Sequence, residues 1–164
     1  MRWPQRSRAD SHCARLADRN YNRKRIGSPQ FAPPGRVLVL DCVGEGGRAL
    51  WVTSWQKYVA HAWPGAWNNS CFRNEGAGLS SELIREAIAA TRWFFQETPP
   101  EGMITFVDPG KIRHKRDPGR CYLKAGFKRV GATKKKQLLV FQLLPEDMPE
   151  PCAPRIPQLH LFML

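Results

Sequence analysis

Between Ser70 and Thr91 the chain reads Ser-Cys-Phe-Arg-Asn-Glu-Gly-Ala-Gly-Leu-Ser-Ser-Glu-Leu-Ile-Arg-Glu-Ala-Ile-Ala-Ala-Thr. This is the end of a strand, a glycine loop and the start of a helix. Gly76 and Gly78 permit positive φ and let a ligand approach the backbone closely. Leu83, Ile84, Ala87, Ile88 and Thr91 recur at helical spacing and give one apolar face. Ser80 and Ser81 are capping types, and Glu82 falls in the first turn, where the macrodipole favours an acid. A helix start behind a flexible loop leaves N–H groups without intrahelical acceptors, which suits a phosphate or pyrophosphate. On these residues alone, an ordinary glycine turn before an amphipathic helix accounts for the stretch equally well.

Other side chains carry further chemistry. Tyr122 reads from its position on a short helix as a core aromatic with a phenol. Asp108 ends an apolar, β-branched run. It either faces a cleft as a general base or makes the turn its Asp-Pro-Gly context favours. Glu75 reads as a solvated loop acid, and His61 and His114 as surface histidines. Neighbouring cations in Lys111-Ile112-Arg113-His114-Lys115-Arg116 lower the basicity of His114. Cys121 has no identifiable partner histidine to activate it. Cys13, Cys42, Cys71, Cys121 and Cys152 are scattered with no C-x-x-C pair, against both a disulfide framework and a zinc cluster, so no metal is expected.

The elements that must position these residues follow from local pattern. Residues 1–8 read as a disordered basic arm and 9–21 as a short helix. Residues 22–35 read as a Gly- and Pro-punctuated loop, whose apolar anchors Tyr21 and Phe31 let the arm fold over the domain and line a pocket. Val37–Leu40 and Ala49–Trp55 form a hairpin around Gly44-Glu45-Gly46-Gly47. The strand from Ala66 to Phe72 runs into the glycine loop. Its helix stops at Pro99-Pro100, and Met103–Val107 is the next strand, so strand, helix and strand make a βαβ unit with parallel strands. Asp117 and Pro118 open a short helix over 120–125. Phe127–Gly131 and Gln137–Leu144 are the last strands. The expected organisation is an arm with a short helix over 1–36, a mixed α/β domain over 37–144 and an irregular Pro-rich tail over 145–164.

Two glycine-loop classes are excluded. A P-loop needs Lys-Ser/Thr after its last glycine, where this chain has Leu79-Ser80, and the dinucleotide fingerprint needs a third glycine. Arg73-x-x-Gly76-x-Gly78 instead resembles the Arg/Gln-x-x-Gly-x-Gly/Ala pyrophosphate loop of the GNAT acyltransferases. Tyr122-Leu123-Lys124-Ala125-Gly126-Phe127 resembles that family's Tyr-x-Lys-x-Gly-Phe helix end, one strand after the helix that follows the loop. The resemblance covers about Val37 to Leu144. It implies an α/β (α+β) fold: a mixed, mostly antiparallel sheet with a central splayed parallel pair, flanked by helices. It also implies acetyl-CoA, or another acyl-CoA, held between the splayed strands by Phe72, Arg73, Asn74, Gly76, Ala77, Gly78, Leu79 and Ser80. Tyr122 is then the acid at the leaving thiolate and Asp108 a candidate base. The chain is also similar to phage-encoded GNAT-like proteins and, in element order and the early segment Asn20-Tyr21-Asn22-Arg23, to the phage Mom DNA-modification enzyme.

Composition narrows the acceptor. The 164 residues are 42% hydrophobic and 24% charged, as in a soluble globular protein. No apolar run approaches a membrane span, so a cytoplasmic protein without a membrane partner is expected, in the bacterial host if phage-encoded. The net charge of +12 comes mostly from the arm and from Lys111 to Lys136. Two basic blocks on a small domain suggest a polyanion, DNA first, or else a solvated surface. Arg23, Lys24, Arg25, Lys111, Arg113, Lys115 and Arg116 are the candidate phosphate contacts, with Trp63 and Trp67 as candidate stacking faces. Three functions remain: a GNAT-type enzyme modifying a nucleic-acid base or nucleic-acid-bound amine, the same chemistry on a small or protein amine, and a non-catalytic nucleic-acid- or protein-binding module.

Overall fold

The computed structural model describes residues 1–56, 62–112 and 117–157. Its elements are β1 (Gln5–Arg6), α1 (Ser11–Asp18), β2 (Arg36–Gly44), β3 (Gly47–Trp55), β4 (Trp67–Asn74), α2 (Ser80–Phe95), β5 (Met103–Val107), α3 (Arg120–Lys124), β6 (Lys128–Ala132) and β7 (Leu139–Leu143), with a short 3₁₀ turn at Pro145–Asp147. The strands form one sheet in the order β1-β2-β3-β4-β5-β7-β6. All neighbours are antiparallel except β4 and β5, which run parallel across α2. This is the mixed, mostly antiparallel sheet with a central parallel pair implied by the GNAT resemblance.

Period-two alternation sorts the strand residues onto two faces. Leu38, Leu40, Cys42, Ala49 and Trp51 share a core with Leu83, Ile84, Ala87 and Ile88 of α2 and with Tyr122 of α3. Val39, Leu50, Val52 and Cys71 pack on the other face against Cys13, Leu16 and Ala17 of α1. The sheet is therefore covered by α2 and α3 on one side and by α1 on the other. Among the described residues no helix is long and apolar enough to cross a membrane.

The first eight residues differ from expectation. Trp3 is fully buried and its indole N–H donates to Leu83 O at 2.8 Å. Gln5 and Arg6 pair with Leu40 and Val39 as an edge strand. One large apolar anchor at the third position outweighs the basic composition that suggested disorder. The tail follows it: Arg155 N donates to Trp3 O at 2.9 Å, and Met148 is buried. One helix start also shifts. α2 has Leu79 at its N-cap with no side-chain cap, so Ser80 and Ser81 lie inside the helix. α3, by contrast, starts at Arg120 as expected, with Gly119 rather than Asp117 at its N-cap.

The hairpin turn between β2 and β3 interlocks with the glycine loop. A Cβ on Gly47 would lie 1.7 Å from Glu75 O, on Gly44 2.4 Å from Ala77 O, and on Gly76 2.6 Å from Gly46 O. Gly76 also holds φ 94°, a left-handed conformation that glycine adopts without strain. The glycines of both turns are thus mutual packing requirements, and they fix the loop against the sheet.

Candidate active site

The site begins with a bulge. Val52 faces Cys71 and Thr53 faces Asn69, so Ser70 is the extra residue in β4. Bulges bend the strand that carries them. On the opposite edge, β4 and β5 pair only at Trp67↔Met103, Asn68↔Ile104 and Asn69↔Thr105. From Ser70 onward β4 leaves β5, which continues against β7 to Val107. The parallel pair is a fork whose crotch is Asn69–Thr105. A cavity of about 520 Å³ opens there, lined among others by Tyr21, Phe72, Asn74, Leu79, Ser80, Val107, Cys121 and Tyr122.

The glycine loop forms one wall. Asn74 organises it: Oδ1 accepts from Gly76 N at 3.1 Å and Ala77 N at 2.9 Å, while Nδ2 donates to Gly78 O at 2.7 Å and Ser80 Oγ at 2.9 Å. The Gly76 and Ala77 amides are thereby engaged. The donors left at the cavity belong to the uncapped start of α2, beside Leu79 and Ser80. In the stretch Arg73–Leu79, expected to offer its amides to a pyrophosphate, two amides are thus already bonded within the loop. Arg73 is not on this wall. It and Cys71 point to the α1 face, where Arg73 Nη1 donates to Arg19 O and Nε lies 3.6 Å from Glu75. Strand alternation is the reason: Phe72 and Asn74 face the cavity, so their neighbour cannot.

Tyr122 stands at the crotch. Its ring contacts Phe72, Phe127 and Phe141, and the residue is 7% exposed. Its hydroxyl donates to Asn69 Oδ1 at 2.6 Å. Burial pushes the phenol well above its ordinary value, so it stays protonated through the physiological range. Asp108 lies at the end of β5, where its Oδ1 accepts from Gly110 N at 2.9 Å, the turn arrangement. Its carboxylate is not among the groups lining the cavity.

The arm closes the other side. Asn20 Nδ2 donates to Phe72 O at 3.1 Å, and Asn22 Nδ2 donates to Ser70 O. These carbonyls lie on the edge of β4 that has left β5. Tyr21 lies between them and lines the cavity; burial pushes its phenol up to about 12, opposed by a hydrogen bond from the Asp108 backbone. The expectation that the arm lines a pocket holds.

The basic candidates separate. Arg23 is bound within the arm, to Asp18 at 2.8 Å and to the Gln30 and Ser28 carbonyls, and serves the loop. Lys24 and Arg25 are exposed. Lys111 is exposed and its Nζ reaches Tyr21 O at 3.3 Å. Arg113, Lys115 and Arg116, with His61 and His114, lie outside the described residues. Trp67 is fully buried against Trp55 and Phe95, so it offers no stacking face to a base, while Trp63 is half-buried. Among the described residues no group of three or more His, Cys, Asp or Glu is placed to hold a metal ion.

Asn69 and Thr105 belong to the site although their sequence context did not single them out for it. A signal for Asn69 exists: Asn68-Asn69-Ser70 is a polar run inside a strand, and asparagine is depleted in strands. Such a run marks a bulge or a polar task.

No family model and no curated protein matches the chain. Among solved structures it is similar to the aminoglycoside acetyltransferase AAC(6')-Ib in complex with coenzyme A, with TM-score 0.46 and 20% identity over 68% of each chain. It is also similar to AAC(6')-Ib in complex with ribostamycin and coenzyme A, with TM-score 0.45 and 21% identity over 68% of this chain and 65% of that one.

Proposed function

We propose that the protein is an acyl-CoA-dependent N-acyltransferase, with acetyl-CoA the first candidate donor. The observation that carries this reading is the fork. A bulge at Ser70 parts two parallel strands after three register pairs, beside the uncapped start of a 16-residue helix. The uncapped amides offer the pyrophosphate a site without a desolvation conflict. Phe72 and Asn74 line the cavity beside the fork, where an extended amide-bearing chain would run along β4. Asn20 and Asn22 already hold the Ser70 and Phe72 carbonyls, so that chain's acceptors rather than its donors match what this edge offers. A protonated phenol at the crotch stands where a leaving thiolate needs a proton.

Titration of the folded protein with acetyl-CoA by calorimetry tests the reading. Wild type is expected to bind. Gly78→Asp is expected to lose about tenfold or more in affinity, because it sets a carboxylate at the helix start. Its Cβ meets chiefly the end of the Arg2 side chain, 2.9 Å away, and at φ 158° the substitution also strains the loop backbone, so the melting temperature of the variant is measured beside its affinity and Ser81→Asp, with no such strain, serves as the second variant. A wild-type protein indifferent to acetyl-CoA and other acyl-CoAs overturns the proposal.

For the acceptor, one observation favours an amine on a nucleic acid, DNA first, over a free small amine. Lys111 begins the basic loop and rests on Tyr21, on the arm side of the fork, with Lys24 and Arg25 exposed close by in the chain. Each phosphate contact contributes about 0.7 to 0.9 to the salt slope of binding. Replacing Lys111, Arg113, Lys115 and Arg116 by Gln should therefore weaken DNA binding and flatten its salt slope while acetyl-CoA affinity is unchanged. Salt-insensitive or absent DNA binding by wild type removes this reading and leaves a small or protein amine.

A further inference from the structure

Asn69 occupies the crotch of the fork and is 3% exposed. Its Nδ2 lies 3.0 Å from both Val52 O and Cys71 O, the carbonyls flanking the bulge. Both are acceptors, so the amide orientation is fixed: a flipped group would set its oxygen against two carbonyls. Oδ1 must then face Tyr122, and at 2.6 Å the phenol must be the donor. A neutral phenol has one proton. In this arrangement it points into the sheet and away from whatever enters the cavity. For Tyr122 to offer that proton to an entering group, the bond to Asn69 must open, which leaves a buried amide oxygen without its donor.

Thr105 sits opposite Asn69 in the last register pair and is 2% exposed. Its hydroxyl donates to Asn69 O at 3.1 Å, has Asn69 Oδ1 within reach at 3.4 Å and also neighbours the Tyr122 hydroxyl. The one hydroxyl proton of Thr105 therefore has two acceptors on the same residue, and the second is the atom Tyr122 would abandon. We propose that Asn69 and Thr105 form a two-position hydrogen-bond switch for the Tyr122 hydroxyl: Asn69 parks its proton inside the sheet, and Thr105 takes over at Asn69 Oδ1 when that proton turns to the cavity. Asn69 and Thr105 are positioning residues, and they act through Tyr122. The functional meaning rests on the acyltransferase reading, whereas the switch itself is a property of the free protein.

The experiment measures hydrogen exchange of the Tyr122 hydroxyl proton by NMR in tyrosine-labelled protein without any CoA. Thr105→Val keeps the shape but removes the relief donor, so opening is disfavoured and exchange slows by about tenfold, the effect of one ordinary hydrogen bond. Thr105→Ser restores the hydroxyl and the wild-type rate. A Thr105 that merely packs would instead leave exchange unchanged or faster in the valine variant. That result overturns the switch, as does slowing that serine fails to reverse. Calorimetry of the wild-type protein with acetyl-CoA tests the enzymatic reading separately. Loss of CoA binding by wild type would sink the enzymatic reading and leave the exchange result standing by itself.

Discussion

The two halves of the sheet are built differently. β2 and β3 are nine residues each and pair along their whole length, with eight-residue β4 alongside. Both faces of this half are covered, by α2 and by α1. β5, β6 and β7 have five residues each, and β6 is exposed along almost all of its length. The halves share one apolar core on the α2 face and three parallel pairs, and polar ties between them include Tyr122 to Asn69, Thr105 to Asn69, and Arg85 Nη1 to Ala125 O at 2.7 Å. The heavy half supplies fixed backbone, bulge and glycine loop. The light half supplies the phenol and much of the exposed positive charge, from Arg120 through Lys136. A site placed at such a seam takes its precision from one side and its freedom of movement from the other.

The same substitution should therefore mean different things on each side. Gly47→Ala places a Cβ 1.7 Å from Glu75 O, between two backbones that cannot yield separately. It is expected to destabilise by about 3 kcal/mol or more and to displace the glycine loop. Gly131→Ala, in β6, meets nothing within 4 Å and should change stability by less than about 1 kcal/mol. Thermal unfolding of the two variants checks this; equal losses would contradict the division into a tight and a light half.

At the seam the expected effects are intermediate. Tyr122→Phe removes the short donor to Asn69 Oδ1, and with the Thr105 hydroxyl within reach to take its place the loss should be about 1 kcal/mol, that of one ordinary hydrogen bond. If Tyr122 is the acid of the proposed reaction, turnover falls by about 100-fold as well, with acetyl-CoA affinity kept. Unchanged turnover makes it a packing and clasping residue only. Arg85→Met removes a charged donor from the end of α3 and should cost about 1 kcal/mol. Amide exchange should quicken over α3 and β6 and stay unchanged over β2 to β4. Uniform quickening would mean that the halves are one cooperative unit.

The light half and the loop were legible from sequence because their signals are local. Gly76, Gly78, the helical spacing from Leu83 to Thr91 and the strand Met103–Val107 each specify their own conformation, and all were placed to within a residue or two. What was not legible is set by partners far along the chain. Trp3 is fixed by Leu83, some eighty residues away, so its environment leaves no trace in the composition of the arm. Most arm cations are likewise spoken for: Arg2 by Glu86, Arg6 by Asp41, Arg8 by the Pro33 and Gly35 carbonyls, and Arg19 by Glu75. The arm's share of the net charge therefore includes several cations that are paired within the fold. Arg73 could have been assigned correctly, because strand alternation from Phe72 and Asn74 already turns it away from the loop.

The smallest expected effect concerns how α1 is held to the heavy half. Arg19, at the C-cap of α1, donates to Glu75 at 2.7 Å, and Arg73 flanks the same carboxylate at 3.6 Å. The Arg19 hydrogen bond, aided by the charge of Arg73, holds Glu75 below its ordinary carboxylate value of 4.5. A carboxylate depressed in the folded state contributes stability above its unfolded value, and the contribution is lost as the pH falls through the folded one. The loss is therefore confined to the window below about pH 4.5. The pair is solvent-facing and screened, so its worth lies within the ~0.2–1 kcal/mol of exposed ion pairs. Glu75→Gln should lower the melting temperature slightly at pH 7 and bring wild type and variant together near pH 3. Raising the salt concentration at pH 7 should narrow the gap in the same way. If the gap persists in acid, Glu75 acts on the glycine loop through packing, and the tie between α1 and β4 must lie in the apolar contacts of Leu16 and Cys71.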